Sequence, residues 1–531
     1  MVESEHDVAL QDTDRIEGRS ALVNNVNAAI ALAGAIRSTL GPRGADKMLV
    51  DENGSVLVTN DGVTVLETAK VEHPTANLLI ATSSAQDRVA RDGTTTSVLL
   101  TAELLRNALE LSRIGVHPSL IMKGYQLACE ESMKQIEMIA RDADDKQMKD
   151  VISTTLAGKV DSSLAGKMTE LALEAANILS SIEGSDDVEK IRVKRLQISS
   201  GKASDSELVR GLVVRKKRLD SSTPKDSETG RIVVLDGGFE PLSLELDAQI
   251  EINDTGVISG FQKRKTTHLE RMVKSLKDNA VDLLCVRDGI SDEAIPMLRD
   301  AGITSYRRFE REDLERICIL TGSSMIRDMN RLKKSDTGSY LSRFETKIND
   351  TWHLTIEGEG EAMTAIIKGT TPIIREESER AFDDALGVAF RLVNNPFILP
   401  GGGATQIHLA RHLRAYSTSQ RGREQLAIEG FADALEIIPR VLSENAGLDP
   451  IDNILALSAQ QSEKGEWIGL DVMSGKICDV SKSGIHDPLF VSSQAIIGAT
   501  EAAISVLRID DVLWAKVEPS TPDWNHSEDE D

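Results

Sequence analysis

Hydrophobic periodicity changes twice along this chain, and the changes fix its architecture. Leu22, Val23, Val26, Ala29, Ile30, Ala33 and Ile36 recur on one helical face, and Gly41-Pro42 ends the run. Residues 48–50 and 56–58 read as short strands about Asn53-Gly54, a pair suited to the positive φ angles of a tight hairpin turn. From Thr75 to about Ala140 the period is helical again, broken at Asp92-Gly93 and between Gly115 and Pro118. The middle differs. Residues 232–235, 283–286 and 303–306 predict strands, alternating with helical patterns at 268–277, 292–298 and 313–321. A polar run at 215–230 marks one edge of that segment and Lys368-Gly369 the other. After about residue 404 helical spacing returns, notably at 426–442 and 494–507. The simplest fold is a multidomain α+β protein: a mainly helical domain split between the two ends of the chain, with an α/β domain inserted.

At 531 residues the chain exceeds one ordinary hydrophobic core, so two or three domains are expected. Lys and Arg number 61 against 85 Asp and Glu, and a net charge of −24 repels phosphate backbones, which argues against nucleic acid as a partner. The four cysteines, Cys129, Cys285, Cys318 and Cys478, lack the paired spacing of a zinc site and the density of a secreted disulfide scaffold, which suits a reducing compartment. The first twenty residues are charged throughout, without the apolar core of a signal peptide. The longest uninterrupted apolar stretch, 28–36, falls short of the ~20 residues a spanning helix needs, so no membrane is expected. Residues 518–531 are acidic and have little to bury, which predicts a solvated tail.

No Walker A loop is present: the nearest approach, Gly469 to Lys476, has one residue too many between its glycines and is followed by Ile477. Four other segments could surround a phosphate. They are Thr39-Leu40-Gly41-Pro42-Arg43-Gly44, Asn60-Asp61-Gly62, Asp92-Gly93-Thr94-Thr95-Thr96 and Gly401-Gly402-Gly403. Asp92 to Thr96 stands where a helix begins, so backbone N–H groups and hydroxyls could take a phosphate while the carboxylate takes Mg²⁺. The same residues also make an ordinary N-cap, and the triple glycine an ordinary turn. Each segment alone decides nothing.

Taken together and in order, these segments resemble the group II chaperonins, the archaeal thermosome and the eukaryotic cytosolic chaperonin. The likeness runs over nearly the whole chain through Leu40-Gly-Pro-Arg-Gly44, Thr59-Asn-Asp-Gly62, Val71-Glu-His-Pro74, Asp92-Gly-Thr-Thr-Thr96, Asp384-Ala-Leu386, Pro400-Gly-Gly-Gly-Ala404, Glu444-Asn-Ala-Gly-Leu-Asp449 and Leu507-Arg-Ile-Asp-Asp511. It implies an equatorial ATP-binding domain (1–145 and 404–531), an intermediate hinge domain (146–213 and 369–403) and an apical substrate-binding domain (214–368) with a lid protrusion at about 244–271. It also implies a cytoplasmic, ATP-hydrolysing chaperone. Such a protein is built of identical or paralogous subunits in two stacked rings, which enclose unfolded client proteins without a separate co-chaperonin lid.

The resemblance further implies residue roles. Asp92 would hold Mg²⁺, with K⁺ as an optional further cation, while Asp61 and Asp384 position and activate the attacking water. Leu40, Gly41, Pro42, Gly93, Thr94, Thr95 and Thr96 would line the nucleotide. Gly401 and Gly402 would lie by ribose and base, Asp487 on the ribose hydroxyls, Asp471 near the base, and Lys159 in the loop that senses the γ-phosphate. Since phosphoryl transfer needs mainly metal, positioning and charge stabilisation, these residues suffice.

Two positions depart from the family pattern: Arg91 stands where glycine is usual, and Gln406 where glutamate is usual. They open an alternative, a structural ring subunit with impaired hydrolysis acting beside active paralogues. A Mg²⁺-dependent phosphotransferase for a small substrate is a third reading, against which stands the lack of any further substrate motif.

Overall fold

The computed structural model describes residues 13–50, 54, 56–69, 71–180, 182, 188–241 and 255–515, with 13–17, 255–262 and 513–515 described by backbone course alone. The acidic tail and residues 244–254 of the expected protrusion lie outside the described residues. The chain divides into two compact units: Met1–Thr154 with Phe397–Asp531, and Thr155–Pro396.

In the first unit the helices Gly18–Ile36, Pro74–Ala90, Thr94–Arg113, Pro118–Ile139, Ala404–Ser417, Glu424–Leu435 and Leu489–Leu507 share one hydrophobic core. Thr94–Arg113 is its centre: Val98, Leu99, Leu100, Leu104, Leu105, Ala108 and Leu109 are all buried, on more than one face. A helix apolar nearly all round belongs in the interior. Small residues allow the close packing; a Cβ on Gly124 would fall 2.4 Å from that of Ala427 on the facing helix. Leu489–Leu507 has the length and composition of a membrane-crossing helix, but buries Ile496, Ala499, Ala503, Ile504, Val506 and Leu507 within this core. Its helical spacing at 494–507 is visible in the sequence, but serine, glutamine and threonine interrupt its apolar runs, so no uninterrupted stretch marks its full length.

The pattern expected as one helix at 426–442 is two, Glu424–Leu435 and Ile437–Asn445. Pro439 accounts for the restart. Proline has no N–H and its ring clashes with the preceding turn, so it is tolerated only in a helix's first turn, where Pro439 now sits. Three short strands form an antiparallel sheet, with Phe397–Pro400 between His486–Pro488 and Arg141–Asp142. Two hairpins, Lys47–Val50 with Val56–Thr59 and Ile468–Asp471 with Lys476–Asp479, complete the unit together with the antiparallel pair Thr13–Glu17 and Asp511–Ala515.

The second unit contains the expected α/β segment. Thr304–Tyr306, Leu283–Val286, Gly230–Leu235 and Met325–Ile326 lie side by side in parallel, and Gly338–Tyr340 pairs antiparallel with Gly230–Leu235. Successive side chains serve opposite faces. Ile232, Val234, Leu283 and Cys285 pack with Leu314 and Ile317 of the helix Arg311–Thr321. Val233, Leu235, Leu284 and Val286 pack with Leu269, Met272 and Leu276 of the helix Thr255–Asp278. Both faces are thereby covered, which explains why these strands are continuously apolar. Two further sheets were not expected: Leu212–Val214 with Thr351–Glu357 and Ser342–Ile348, and Met363–Lys368 between Val193–Ile198 and Glu207–Arg210. The helices Ser162–Leu179 and Pro372–Asn394 pack on each other in the same unit.

Candidate functional site

Within the first unit, chain segments hundreds of residues apart converge on the N-terminus of Thr94–Arg113. Gly93 caps that helix at φ +78° and supplies no side-chain cap. The first amides therefore depend on something other than the capping residue, and a helix N-terminus favours an anion. Thr94 and Thr95 are buried, and Thr96 is half-buried. Asp92 folds its Oδ1 back onto the Gly93 amide at 2.8 Å, while Gln86 Nε2 donates to the Asp92 carbonyl (2.8 Å) and to the Val491 carbonyl (3.3 Å). Gln86, which no motif singled out, thus ties the carboxylate's backbone to the helix Leu489–Leu507.

The exit of the first hairpin lies against the same turn. Asp61 caps the helix Gly62–Thr68, its Oδ2 accepting from the Thr64 amide (3.0 Å) and hydroxyl (2.6 Å). Its Oδ1 takes no hydrogen bond among the described residues, which leaves an acceptor for water. Gly62 packs so closely that a Cβ there would stand 2.6 Å from Thr95 Oγ1. Thr39 reaches the same hydroxyl at 3.4 Å, which brings the loop after the first helix into the cluster. Asn445 holds that loop by donating to the carbonyls of Leu40 (2.9 Å) and Arg37 (3.2 Å), and Glu444 pairs with Arg37 at 2.6 Å. Gly41 has φ +83° and abuts Leu442, and Pro42 follows in the turn that the Gly44 amide closes on the Gly41 carbonyl (2.8 Å). The Glu444-Asn445 pair stood out in the sequence as a motif without a function; here it fastens the loop.

Opposite lies the triple glycine. Gly401 donates its amide to the Ile485 carbonyl (3.1 Å), and a Cβ on it would lie 3.2 Å from Asp487 Oδ1. Gly402, at φ +62°, runs so near Leu470 that a Cβ would fall 2.3 Å from its carbonyl oxygen, and the Leu470 amide donates to the Gly402 carbonyl at 3.1 Å. Only glycine combines that φ with that approach. Gly403, at φ +74°, caps the helix Ala404–Ser417. Asp471 ends the adjoining strand with its carboxylate turned into its own hairpin, accepting from the Met473 and Ser474 amides (3.0 and 3.3 Å) and the Ser474 hydroxyl (2.7 Å). The hydroxyl contact, first, holds its pKa below the ordinary carboxylate value.

Asp487, paired with Leu399 in the small sheet, joins the two sides. Burial, and then the negative charge of Asp92, push its carboxyl up to about 7. Two carboxylates held near one another at a helix N-terminus suit a site that expects a cation and hydroxyl donors. Among the described residues no group of three or more His, Cys, Asp or Glu could hold a metal by itself. Mg²⁺ does not need one: it commonly binds through one or two carboxylates plus substrate phosphates and water. Asp92 with the neighbouring helix amides fits that mode.

In the second unit, Lys159 and Asp384, 225 residues apart, form an ion pair at 2.8 Å with about a quarter of each side chain exposed. The departures from the family pattern also have visible consequences. Arg91 ends the helix Pro74–Ala90 in the left-handed conformation (φ +57°, ψ +9°), its guanidinium 3.7 Å from Asp87. A non-glycine residue pays about 1–2 kcal/mol there. Gln406, 6% exposed in the first turn of Ala404–Ser417, leaves its Oε1 without a hydrogen-bond partner.

Residues 32–517 match the TCP-1/cpn60 chaperonin family. The chain is 37% identical over 513 residues to thermosome subunit alpha of Halobacterium salinarum, covering 96% of this chain and 91% of that protein. It is equally similar to the thermosome subunit of Methanocaldococcus jannaschii, over 95% of this chain and 94% of that one. Thermosome subunit alpha of Thermoplasma acidophilum gives 37% over 519 residues, 97% of this chain and 95% of that one. The chain therefore belongs to the TCP-1/cpn60 chaperonin family, and its likeness to thermosome subunits places it among the group II chaperonins. Its function is that of a chaperonin, in a multidomain α+β fold.

Proposed function

We propose that the chain is an ATP-hydrolysing ring subunit that binds unfolded proteins and encloses them as its chamber closes. One observation carries the reading: the hairpin exit at Asp61, the helix N-terminus at Asp92 to Thr96, the glycines 401–403 and Asp487 gather at one place from four distant parts of the chain. Mg·ATP would sit there. Asp92 would hold the metal, and the amides and hydroxyls of 93–96 with Leu40, Gly41 and Pro42 the phosphates. Gly401, Gly402 and Asp487 would hold ribose and base, with Asp471 at the periphery. The bound Mg²⁺ supplies charge neutralisation for the transferring phosphoryl group.

Asp61 acts on the attacking water through its open Oδ1. Asp384 joins it when the intermediate domain closes, and Lys159, its partner in the ion pair, responds to the γ-phosphate. The division into an equatorial domain (1–145, 404–531), an intermediate domain (146–213, 369–403) and an apical domain (214–368) belongs to the same proposal, as do the lid at about 244–271, the cytoplasmic setting and the two stacked rings. Self-assembly has support in the hairpin, which exposes Met48, Val50, Val56 and Val58. Such a row on a short two-stranded element is stable only when covered.

The test is native mass spectrometry together with client capture. Rings of many subunits that suppress aggregation of a denatured protein and release it with Mg·ATP are expected. A monomer at all protein and nucleotide concentrations, with paralogous subunits added, overturns the reading. The impaired-hydrolysis alternative has its own observation in the left-handed Arg91.

A further inference from the structure

A cavity of about 370 Å³ in the second unit is lined by Lys194, Arg195, Leu196, Gln197, Val214, Arg215, Lys216, Glu310 and Asp313. Its walls come from three elements: the strand Val193–Ile198, the exit of the strand Leu212–Val214, and the start of the helix Arg311–Thr321. Four cations against two carboxylates make it a locally positive hollow in a chain of net charge −24.

The pairing within it is uneven. Lys194 contacts both oxygens of Asp313 at 2.5 Å, and Asp313 also meets Arg316 at 3.2 Å, so that carboxylate is fully committed. Arg195 pairs with Asp383 at 2.6 Å. Arg215 and Lys216 have no such partner: among the described residues neither lies within ion-pair distance of a carboxylate, and their side chains donate to the backbone carbonyls of Gln197 and Arg308 respectively. Lys216 is half-buried over the ring of Phe309, 5.2 Å from its centroid. Burial lowers its pKa, and the more distant Asp313 and Glu310 oppose that shift without cancelling it. The half-buried ammonium of Lys216 and the exposed guanidinium of Arg215 thus stand at the wall of one cavity, their side chains donating only to neutral carbonyls, and an anion there would give both a charged acceptor.

We propose that this cavity binds a small phosphate-bearing anion, held by Arg215 and Lys216 with support from Arg195 and the N-terminus of the helix Arg311–Thr321. Such an anion would join a strand of one sheet, a strand end of another and a helix start, and so stiffen this part of the unit when bound. The site does not involve the nucleotide residues.

Inorganic pyrophosphate, titrated calorimetrically into the full-length protein in Mg²⁺-free buffer, tests it. One saturable site per subunit is expected, weakened at least tenfold by the double substitution Arg215→Gln, Lys216→Gln and severalfold by raising salt from 50 to 200 mM, an interval over which contacts to phosphates lose much of their affinity. Glu310→Gln, a change at an exposed position that removes a repelling charge, should tighten binding severalfold without threatening the fold. Asp92→Asn should leave it unchanged. Absence of saturable binding overturns the proposal. So does binding that survives the double substitution, ignores Glu310→Gln, or tightens with Asp92→Asn, the last of which would assign the anion to the nucleotide site, whose repelling carboxylate that variant removes.

Discussion

Asp487 offers a direct view of the nucleotide site without measuring turnover. Its carboxyl is raised from the ordinary 3.8 to about 7 by burial and by Asp92. At pH 6 a group of pKa 7 carries about 0.9 proton, and at pH 8 about 0.1. If Mg²⁺ on Asp92 cancels the repelling charge and ribose hydroxyls donate to the Asp487 carboxylate, both causes favour ionisation and the pKa falls back toward 4. Binding of Mg·ADP should then release close to one proton per subunit at pH 6 and almost none at pH 8. Calorimetric titration in two buffers of different ionisation enthalpy reads that number, and Asp487→Asn removes this residue's share of it. Equal proton release by wild type and Asp487→Asn at pH 6, with binding otherwise intact, would refute the placement of Asp487 against the nucleotide.

The same shift sets the sign of a pH effect on the nucleotide-free protein. The folded-state value lies above the unfolded one, so the folded chain retains a proton that the unfolded chain has released. The contribution of Asp487 to stability is therefore greatest below pH 4 and declines as pH rises to about 7.

Gly402→Ala would place a methyl group 2.3 Å from the Leu470 carbonyl at a left-handed backbone position; the conformational cost and overpacking together predict about 2–5 kcal/mol of destabilisation in urea unfolding. A loss below 0.5 kcal/mol would mean the glycine turn yields easily. Arg91→Gly relieves the left-handed strain but removes the neighbouring charge of Asp87 from its partner, so thermal unfolding should show a net gain between zero and about 1 kcal/mol. A loss above 1 kcal/mol would show that the guanidinium does more than pair with Asp87.

What was legible in the sequence was strong local signal. The helix Thr94–Arg113 lies between the breakers Asp92-Gly93 and Gly115, and the strand Leu283–Val286 is an unbroken apolar run. The hairpin of Ser342–Ile348 and Thr351–Glu357 was hidden because its strands carry buried charge: Arg343 and Glu345 are each 2% exposed, Glu345 paired with Arg218 at 2.5 Å and Arg343 donating to Thr304. Its turn did leave a trace, since Asn349-Asp350 both take positive φ, a two-residue turn such residues favour. Partners far apart in the chain left none. Val193–Ile198 meets Met363–Lys368, and Lys159 meets Asp384, through chain folding that no local pattern encodes. The site residues were individually ambiguous, and their grouping came from the family resemblance, as did the roles given to Asp61 and Asp384. The contacts of Gln86 and Asn445 are backbone attachments that any amide could make, so only the folded structure distinguishes them.

Under the proposed function, this chain hydrolyses ATP with Asp384 as an essential carboxylate delivered by domain closure. Steady-state phosphate release from assembled rings, paralogous subunits included, compares wild type with Asp384→Ala under saturating Mg·ATP. Both should bind ATP alike while the variant turns over about 10²-fold or more slowly, the scale of a lost general base. Wild-type rings that bind Mg·ATP yet release phosphate no faster than the Asp384→Ala rings would contradict it.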